Sequence, residues 1–207
     1  SRALYAPTDP IATPDSVHKV PLPETPHQLA PARHPRTAPA TARAVRRVHA
    51  ERSVRQLGRA GVRASVLRVP GIYAPDRENG TPEARLRRGT PVLRPEDDVF
   101  TNHIHADDLA RACLAALWRG APQRIYNVSD ASTLRMGEYF DLAADLYGLP
   151  HPPRIARSEA AEQLGAMQLS FMSESRRLDA TRMLCELGLR LRYPTVREGL
   201  QMENEIN

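Results

Sequence analysis

The pattern of apolar and polar positions along the chain predicts an α/β protein. Residues 62–69 form a β-branched, apolar run without a helical period, and Gly61 and Gly71 bound it as turn signals. Such a run is typical of a parallel strand buried on both faces. A second short run, RIYNV at 124–128, predicts another buried strand. Apolar spacing of three and four residues predicts helices over 41–60, 107–119, 136–147, 158–164 and 175–187, so the carboxyl-terminal part is the more helical one.

Residues 1–40 differ from the rest of the chain. They hold nine of the nineteen prolines, and no helical or strand period survives that density. We therefore expect a Pro-rich, largely irregular segment over 1–40 and a folded domain over 41–207.

The strand predicted at 62–69 follows directly on a helix, which is one half of a βαβ unit. Ligands of open α/β sheets bind outside the carboxyl ends of the strands. The residues that leave this strand, 70–75, therefore form the first candidate ligand site, and the pattern predicts a stiff loop there.

Charge and composition narrow the function classes. The net charge is +5, and Lys19 is the only lysine. A basic chain can attract nucleic acid or phosphate, but no helix-turn-helix or aromatic-interleaved basic motif accompanies the arginines, so nucleic acid is not a favoured partner. No apolar run approaches the roughly 20 residues of a membrane helix, and none suggests a membrane partner.

The two cysteines, Cys113 and Cys185, lie far apart within helical patterns and form no Cys-x-x-Cys motif. This predicts a reducing, cytoplasmic setting, with Cys113 on the core face of its helix. The chain begins at Ser1 without a methionine, which suggests a fragment.

Three segments resemble one enzyme family. Residues 67–75, LRVPGIYAP, resemble the sixth strand and following loop of the extended short-chain dehydrogenase/reductases, the NAD-dependent epimerases and dehydratases, with Ala74 in place of the usual glycine. Residues 102–110, NHIHADDLA, resemble the junction that this family has before a helix. Residues 173–179, SESRRLD, resemble the segment before its last long helix, and the likeness spans about 39–200.

The resemblance implies a partial Rossmann-like doubly wound parallel sheet with a more helical C-terminal substrate lobe. It also implies NAD or NADP as cofactor, hydride transfer on a small, sugar-like substrate, and a homodimer. Matching the family motifs residue by residue assigns a catalytic role to Ser1, cofactor contacts to Arg47, Pro70 and Tyr73, and substrate contacts to His103 and Arg176. For Tyr73 a packing role is an equal alternative. Arg177 is an alternative to Arg176 as the arginine that binds an anionic substrate group, and both can also be an ordinary exposed helix start.

The sequence departs from the family at two functional motifs. The family's Tyr-x-x-x-Lys pair aligns with Arg43 and Arg47, and a guanidinium stays protonated near neutral pH, so Arg43 cannot act as a general acid or base. No Gly-x-x-Gly-x-x-Gly turn occurs in the sequence. The replaced pair resembles the atypical subgroup of the family, and the absent turn implies that the first half of the doubly wound sheet is missing. These departures leave two functions open: an epimerase/dehydratase-like oxidoreductase that is truncated and inactive on its own, or a non-catalytic α/β binding or interaction module that retains the substrate lobe.

The segment 103–108 also differs by one residue from the His-x-His-x-Asp-His metal signature of metallo-β-lactamase-like hydrolases. However, residue 108 is Asp, and the distant histidine ligands of that fold are lacking. We therefore predict no metal, and a junction in which Asp107 caps the following helix.

Overall fold

The computed structural model describes residues 11–12, 42–77, 79–172 and 175–201. The helices are α1 (Ala42–Gln56), α2 (Glu83–Arg87), α3 (Ala106–Arg119), α4 (Met136–Tyr147), α5 (Arg157–Gln163), α6 (Ala166–Met172), α7 (Thr181–Glu186) and α8 (Val196–Gln201). The strands are β1 (Ile11–Ala12), β2 (Val66–Arg68), β3 (Gly71–Tyr73), β4 (Val92–Leu93), β5 (Phe100–Thr101), β6 (His103–His105), β7 (Ile125–Asn127), β8 (Leu134–Arg135), β9 (Arg154–Ile155) and β10 (Arg177–Leu178).

Two parallel strand pairs form the centre of the molecule. β2 pairs with β7, with Val66 opposite Ile125, and β3 pairs with β6, with Gly71 opposite His103. Parallel pairing of strands separated by helices is the arrangement of an α/β fold, so the predicted class is confirmed. The division of the chain at residue 40 stays a prediction.

The strand predicted over 62–69 is shorter than expected. It covers only β2, and the residues after it continue as β3 instead of a stiff loop. Pro70 lies between the two strands and has no N–H group to donate to a ladder, which separates β2 from β3. The residues of β2 are also only half-buried, and β7 is the single partner of β2 among the described strands. The prediction of burial on both faces is wrong for β2, whereas β7 is fully buried as predicted.

Helix α1 is fixed to β2 by a two-pronged ion pair. Arg68 Nε donates to Glu51 Oε1 at 2.9 Å and Arg68 Nη2 donates to Glu51 Oε2 at 2.7 Å, in the planar geometry that guanidinium and carboxylate favour. The chain reverses after α1 at Gly61, whose φ of 81° lies in the left-handed region that glycine adopts without strain. Helix α1 therefore runs antiparallel to β2, and its amino-terminal half lies towards the carboxyl end of that strand.

The buried side chains form three clusters. One lies between β3, α2, α4 and α8, a second between β6, α3, β7 and α7, and a third around β4, β9, α5 and α6. In the first cluster α8 approaches β3 very closely, because a Cβ on Gly199 would lie 2.2 Å from the Tyr73 hydroxyl. Glycine is therefore required at this contact.

Helix α3 buries a narrower face than its apolar spacing predicts. Asp108, Ala112 and Ala116 are buried at intervals of four residues. Cys113 and Leu117, each one position further along, turn about 100° away from that face and are exposed. The prediction that Cys113 is a core residue is therefore wrong. No helix in the described part of the chain is long and apolar enough to cross a membrane.

The helix predicted over 175–187 begins later than expected, at α7, because the preceding residues form β10. The Asn102 side chain explains this. Its Nδ2 donates to the Arg176 carbonyl at 2.8 Å, and its Oδ1 accepts from the Leu178 N–H at 2.8 Å. These two bonds hold the backbone extended together with the parallel pairing of β10 with β1, in which Ile11 lies opposite Arg177.

Candidate functional site

A cleft of about 360 Å³ lies beyond the carboxyl end of β7, the partner strand of β2. Four separate segments of the chain form its walls: residues 101–102, 129–133, 177–181 and the apolar side chains of Leu184 and Leu191. Its position follows from the fold, because β7 continues beyond its pairing with β2 and its next residues turn back towards β6. We call this opening the carboxyl-edge cleft.

The polar walls of the carboxyl-edge cleft are held by hydrogen bonds. Asn102 ties one wall to β10 through the two bonds described above. Asn127 Nδ2 donates to the Asp179 carbonyl at 3.1 Å, and Asp179 Oδ1 accepts from the Thr181 N–H at 2.8 Å, which links the end of β7 to the start of α7. Arg177 lies with its guanidinium carbon 5.3 Å from the centre of the Phe100 ring. These amide, hydroxyl, carboxyl and guanidinium groups are suited to a polar ligand.

Asp130 is the most deeply buried carboxyl group in the cleft wall, with 4% of its surface exposed. Its Oδ1 accepts from the Ser132 N–H at 2.9 Å, and its own N–H donates to the His103 carbonyl at 2.8 Å. Its Oδ2 is buried without a hydrogen-bond partner in the described structure. Burial raises the pKa of this carboxyl to about 7, and the negative charges of Asp108 and Glu198 act in the same direction.

A carboxyl group with that pKa exchanges its proton near neutral pH, which is the property that general acid–base chemistry requires. Asp130 is the described residue of the cleft wall that combines this property with burial.

His103 lies behind the cleft wall, not in it. Its ring stacks on Tyr139 with the ring centres 4.1 Å apart, and only 6% of its surface is exposed. Burial lowers the pKa of His103 to about 4, so the imidazole is neutral at physiological pH. Its Nδ1 is buried without a hydrogen-bond partner among the described residues. The substrate contact of His103 stays a prediction, because its side chain is directed into the core in this structure.

Tyr73 is a packed core residue with 1% of its surface exposed. Its ring makes edge contacts with His103 and His105, and its hydroxyl donates to the Thr195 carbonyl at 3.4 Å. Burial raises the pKa of this phenol. These contacts correspond to the packing alternative, and the cofactor contact of Tyr73 stays a prediction.

Arg176 and Pro70 border the carboxyl edge of the sheet. The Arg176 N–H donates to the Phe100 carbonyl at 3.3 Å, and the residue is half-buried next to Arg177, which lines the cleft. Pro70 is half-buried at the carboxyl end of β2. Arg47 is exposed on α1, one turn before Glu51 and thus on the same helix face, closer to the carboxyl end of β2. The roles assigned to these three residues stay predictions. Ser1 and the side chain of Arg43 lie outside the described residues.

The junction before α3 differs from the prediction in one detail. The cap of α3 is His105, whose Nδ1 accepts from the Asp107 N–H at 3.2 Å, so Asp107 is not the capping residue. Asp107 and Asp108 lie instead in the first turn, where a carboxylate favours the positive end of the helix dipole. The described residues contain no group of three or more side chains that could hold a metal ion.

Sequence reasoning named Arg177 only as the alternative to Arg176 and missed Asn102 and Asp130, although two signals could have found all three. Asp130 follows the predicted strand at 124–128, so the rule applied to the end of β2 applies equally to the end of β7. Successive side chains of an extended segment point to opposite sides. The neighbours of His103 and Arg176 were therefore candidates as good as the two residues themselves.

Comparison with known proteins places this geometry in a fold family. No protein-family model and no curated protein matches the chain. A functionally unknown conserved protein from Silicibacter pomeroyi has a similar structure, with 32% identity, a TM-score of 0.70, and a match over 82% of this chain and 57% of that one. A nucleoside-diphosphate-sugar epimerase from Pseudomonas aeruginosa is 19% identical, with a TM-score of 0.65 and a match over 82% of this chain and 56% of that one. The dTDP-glucose 4,6-dehydratase from Bacillus anthracis in complex with NAD is 17% identical, with a TM-score of 0.61 and a match over 82% of this chain and 54% of that one.

The protein is thus an α/β protein of the Rossmann-like class. Within that class it has the fold of the NAD-dependent epimerase/dehydratase enzymes, which confirms the resemblance found in the sequence. The chain spans a little more than half the length of these three structures.

The cofactor contacts of Pro70 and Arg47 stay predictions, and the glycine-rich turn that binds a pyrophosphate does not occur in the sequence. We therefore derive no chemical step through the cofactor from this chain.

Proposed function

We propose that this chain supplies the carboxyl edge and the substrate lobe of an NAD(P)-dependent epimerase/dehydratase-like oxidoreductase, with a small, sugar-like substrate in the carboxyl-edge cleft. The observation that carries the proposal is the position of the cleft: separate segments of the chain converge beyond the carboxyl end of β7, and ligands of doubly wound sheets bind outside the carboxyl ends of strands. Two of the similar structures are a nucleotide-sugar epimerase and a nucleotide-sugar dehydratase, which supports this substrate class.

In this proposal the cleft residues have separate tasks. Arg177 attracts an anionic substrate group, and the Asn102 side chain holds Arg177 in place through its bonds to the neighbouring backbone. Asp130 exchanges a proton with a substrate hydroxyl, a task that Arg43 cannot perform in place of the family's tyrosine. NAD or NADP supplies the hydride chemistry when it is bound.

The test is calorimetric titration of the purified chain with NAD, NADP and UDP-glucose. Fluorescence of the single tryptophan is a poor readout, because Trp118 is 85% exposed at the carboxyl-terminal end of α3 and does not line the cleft. We expect saturable binding of UDP-glucose that Arg177→Gln weakens at least tenfold. The matched change Arg190→Gln, at an exposed arginine outside the cleft, should leave the binding unchanged.

The alternative is a non-catalytic α/β binding or interaction module that retains the substrate lobe. The specific observation in its favour is the replacement of the Tyr-x-x-x-Lys pair by Arg43 and Arg47. Absence of NAD and NADP binding up to millimolar concentration, together with UDP-glucose binding that depends on Arg177, would support the module. Absence of all three ligands would overturn the substrate assignment itself.

A further inference from the structure

The positive charge of this protein is concentrated in one segment. Residues 42–63 hold seven arginines and one glutamate, while the 22 basic and 23 acidic residues elsewhere almost cancel. The one glutamate, Glu51, is occupied by its ion pair with Arg68. Helix α1 and the turn after it therefore present a strong, local positive field, unlike a basic composition that is spread over the whole surface.

Part of this charge surrounds an opening at the carboxyl-terminal end of α1. The opening has a volume of about 480 Å³ and is lined by Arg52, Arg55, Gln56, Gly58, Arg59 and Gln123. We call it the arginine cleft. Arg52 and Arg55 lie one helical turn apart, and Arg59 belongs to the short 3₁₀ turn that follows (Leu57–Ala60). All three arginines are exposed, and none forms an ion pair with a carboxylate of the described part of the chain.

Gln123 forms one side of the arginine cleft, and its backbone and side chain are both held by hydrogen bonds. Gln123 has a φ of 63°, a left-handed conformation that is uncommon for a residue with a side chain. Its N–H donates to the Ala64 carbonyl at 2.6 Å, and its side-chain Nε2 donates to the Val62 carbonyl at 3.0 Å. The side chain lies so close to Gly58 that a Cβ there would be 2.0 Å from its Cδ. The two residues thus fit together and fix one side of the cleft.

Three guanidinium groups that line one cleft repel one another, and like charges one turn apart on a helix destabilise that helix. The negative end of the α1 dipole offsets part of this repulsion. An anion in the cleft offsets more, because guanidinium groups bind phosphate oxygens through paired hydrogen bonds. A volume of about 480 Å³ is in the range of small-molecule sites, whereas nucleic acid is bound by larger surfaces.

We propose that the arginine cleft binds a compact anion that carries several phosphate groups. The site is separate from the carboxyl-edge cleft: α1 runs antiparallel to β2, so the end of α1 lies at the amino end of that strand, whereas ligands of the proposed enzyme bind at the carboxyl end. This inference therefore stands or falls independently of the proposed function.

The test is calorimetric titration of the whole chain with inorganic triphosphate at constant ionic strength. We expect saturable binding that the double variant Arg55→Gln/Arg59→Gln weakens at least tenfold. The matched double variant Arg94→Gln/Arg190→Gln removes the same charge at two exposed arginines elsewhere and should change the affinity less than twofold. Circular dichroism checks that both variants are folded.

Three results would overturn the inference. The first is no saturable binding of triphosphate up to millimolar concentration. The second is an equal loss of affinity in the two double variants, which would assign the binding to overall charge. The third is tighter binding of a single-stranded oligonucleotide than of triphosphate with the same dependence on Arg55 and Arg59, which would assign the surface to nucleic acid. UDP-glucose binding measured on the same variants keeps this test apart from that of the carboxyl-edge cleft.

Discussion

A buried acid, Asp130, and a buried base, His103, are linked by a backbone hydrogen bond to β6. The Asp130 N–H donates to the His103 carbonyl, and burial raises the pKa of Asp130 to about 7 while it lowers that of His103 to about 4. Burial favours the neutral form of both groups. Between pH 4 and 6.5 their contributions to stability change in opposite directions. The contribution of Asp130 to stability falls as pH rises, because its carboxyl group loses the proton at a lower pH in the unfolded chain than in the folded one. The contribution of His103 rises, because its imidazole keeps the proton to a higher pH in the unfolded chain than in the folded one.

Replacement of Asp130 by asparagine should remove one of these two contributions. The amide oxygen can still accept from the Ser132 N–H, but no carboxyl group has to be kept protonated in the interior. We expect the variant and the parent chain to differ little in free energy of unfolding at pH 4. The advantage of the variant should then grow up to pH 7, where it is on the order of 2–4 kcal/mol. Urea unfolding across this pH range measures the difference.

The matched control is Asp179→Asn. Asp179 makes the same hydrogen bond to the N–H two residues later, but it is half-buried. A pH-independent difference for Asp130→Asn would contradict the assignment, as would a pH dependence of the same size for the control. Asp108 and Glu198 also face Asp130, as do Tyr73 and His103, so both variants are compared in otherwise unchanged surroundings.

At the scale of the elements, the amino-terminal turn of α3 holds the carboxyl-terminal part of the chain in place. Asp108 is completely buried there, and its two oxygens accept from the Arg192 N–H at 2.9 Å, the Tyr193 N–H at 2.8 Å and Arg111 Nη1 at 2.8 Å. Three hydrogen-bond donors offset the cost of burying the Asp108 carboxylate. Removing a carboxylate oxygen would leave a buried backbone N–H group without an acceptor. Asp108 therefore connects two elements that are 84 residues apart.

The change Asp108→Asn should lower the free energy of unfolding by about 1–3 kcal/mol, because the amide NH₂ group then faces one of the N–H donors. Asp107→Asn is the control on the same helical turn, and it should cost less than about 0.5 kcal/mol because Asp107 is exposed. Chemical denaturation at neutral pH measures both. Equal losses would show that the hydrogen bonds to Arg192 and Tyr193 carry no particular weight.

Sequence patterns predicted which helices and strands occur better than the residues at which they begin and end. α4 was predicted at 136–147, which is its observed span, since the apolar stripe ends at Gly148, whose left-handed φ of 63° glycine adopts without strain. β10 could not be predicted, because the groups that keep it extended, its partner strand β1 and the Asn102 side chain, lie about 75 residues or more earlier in the sequence. The same holds for the cleft. The position of the cleft at the carboxyl edge of the sheet can be predicted from the order of helices and strands. Asp130 and Arg177, however, are brought together only by the tertiary structure.

At the scale of the whole molecule, the three hydrophobic clusters share boundary elements. Met136 packs against the first and the third cluster, and neighbouring residues of β3, Ile72 and Tyr73, belong to the second and the first. Clusters joined in this way are expected to unfold together, as in a single cooperative transition.

Substitutions in different clusters should therefore act on the same transition. We expect Met183→Ala in the second cluster and Met172→Ala in the third each to cost about 2–5 kcal/mol, since both side chains are buried. The exposed Leu117→Ala should cost less than about 0.5 kcal/mol. Urea unfolding followed by far- and near-ultraviolet circular dichroism measures this. Two separate transitions in Met172→Ala would show that the third cluster is an independent unit.

The parallel pairing of β2 with β7 also has a consequence for biosynthesis. Val66 and its partner Ile125 are 59 positions apart in the sequence. At a translation rate of about 5–20 residues per second, β2 is synthesised roughly 3–12 seconds before its partner. Hairpins form in microseconds and helices faster still, so α1 and its turn can form at once while the strand edge waits. During that interval the nascent chain displays an unpaired strand, and this is the stage at which a chaperone that binds extended apolar segments would act on it.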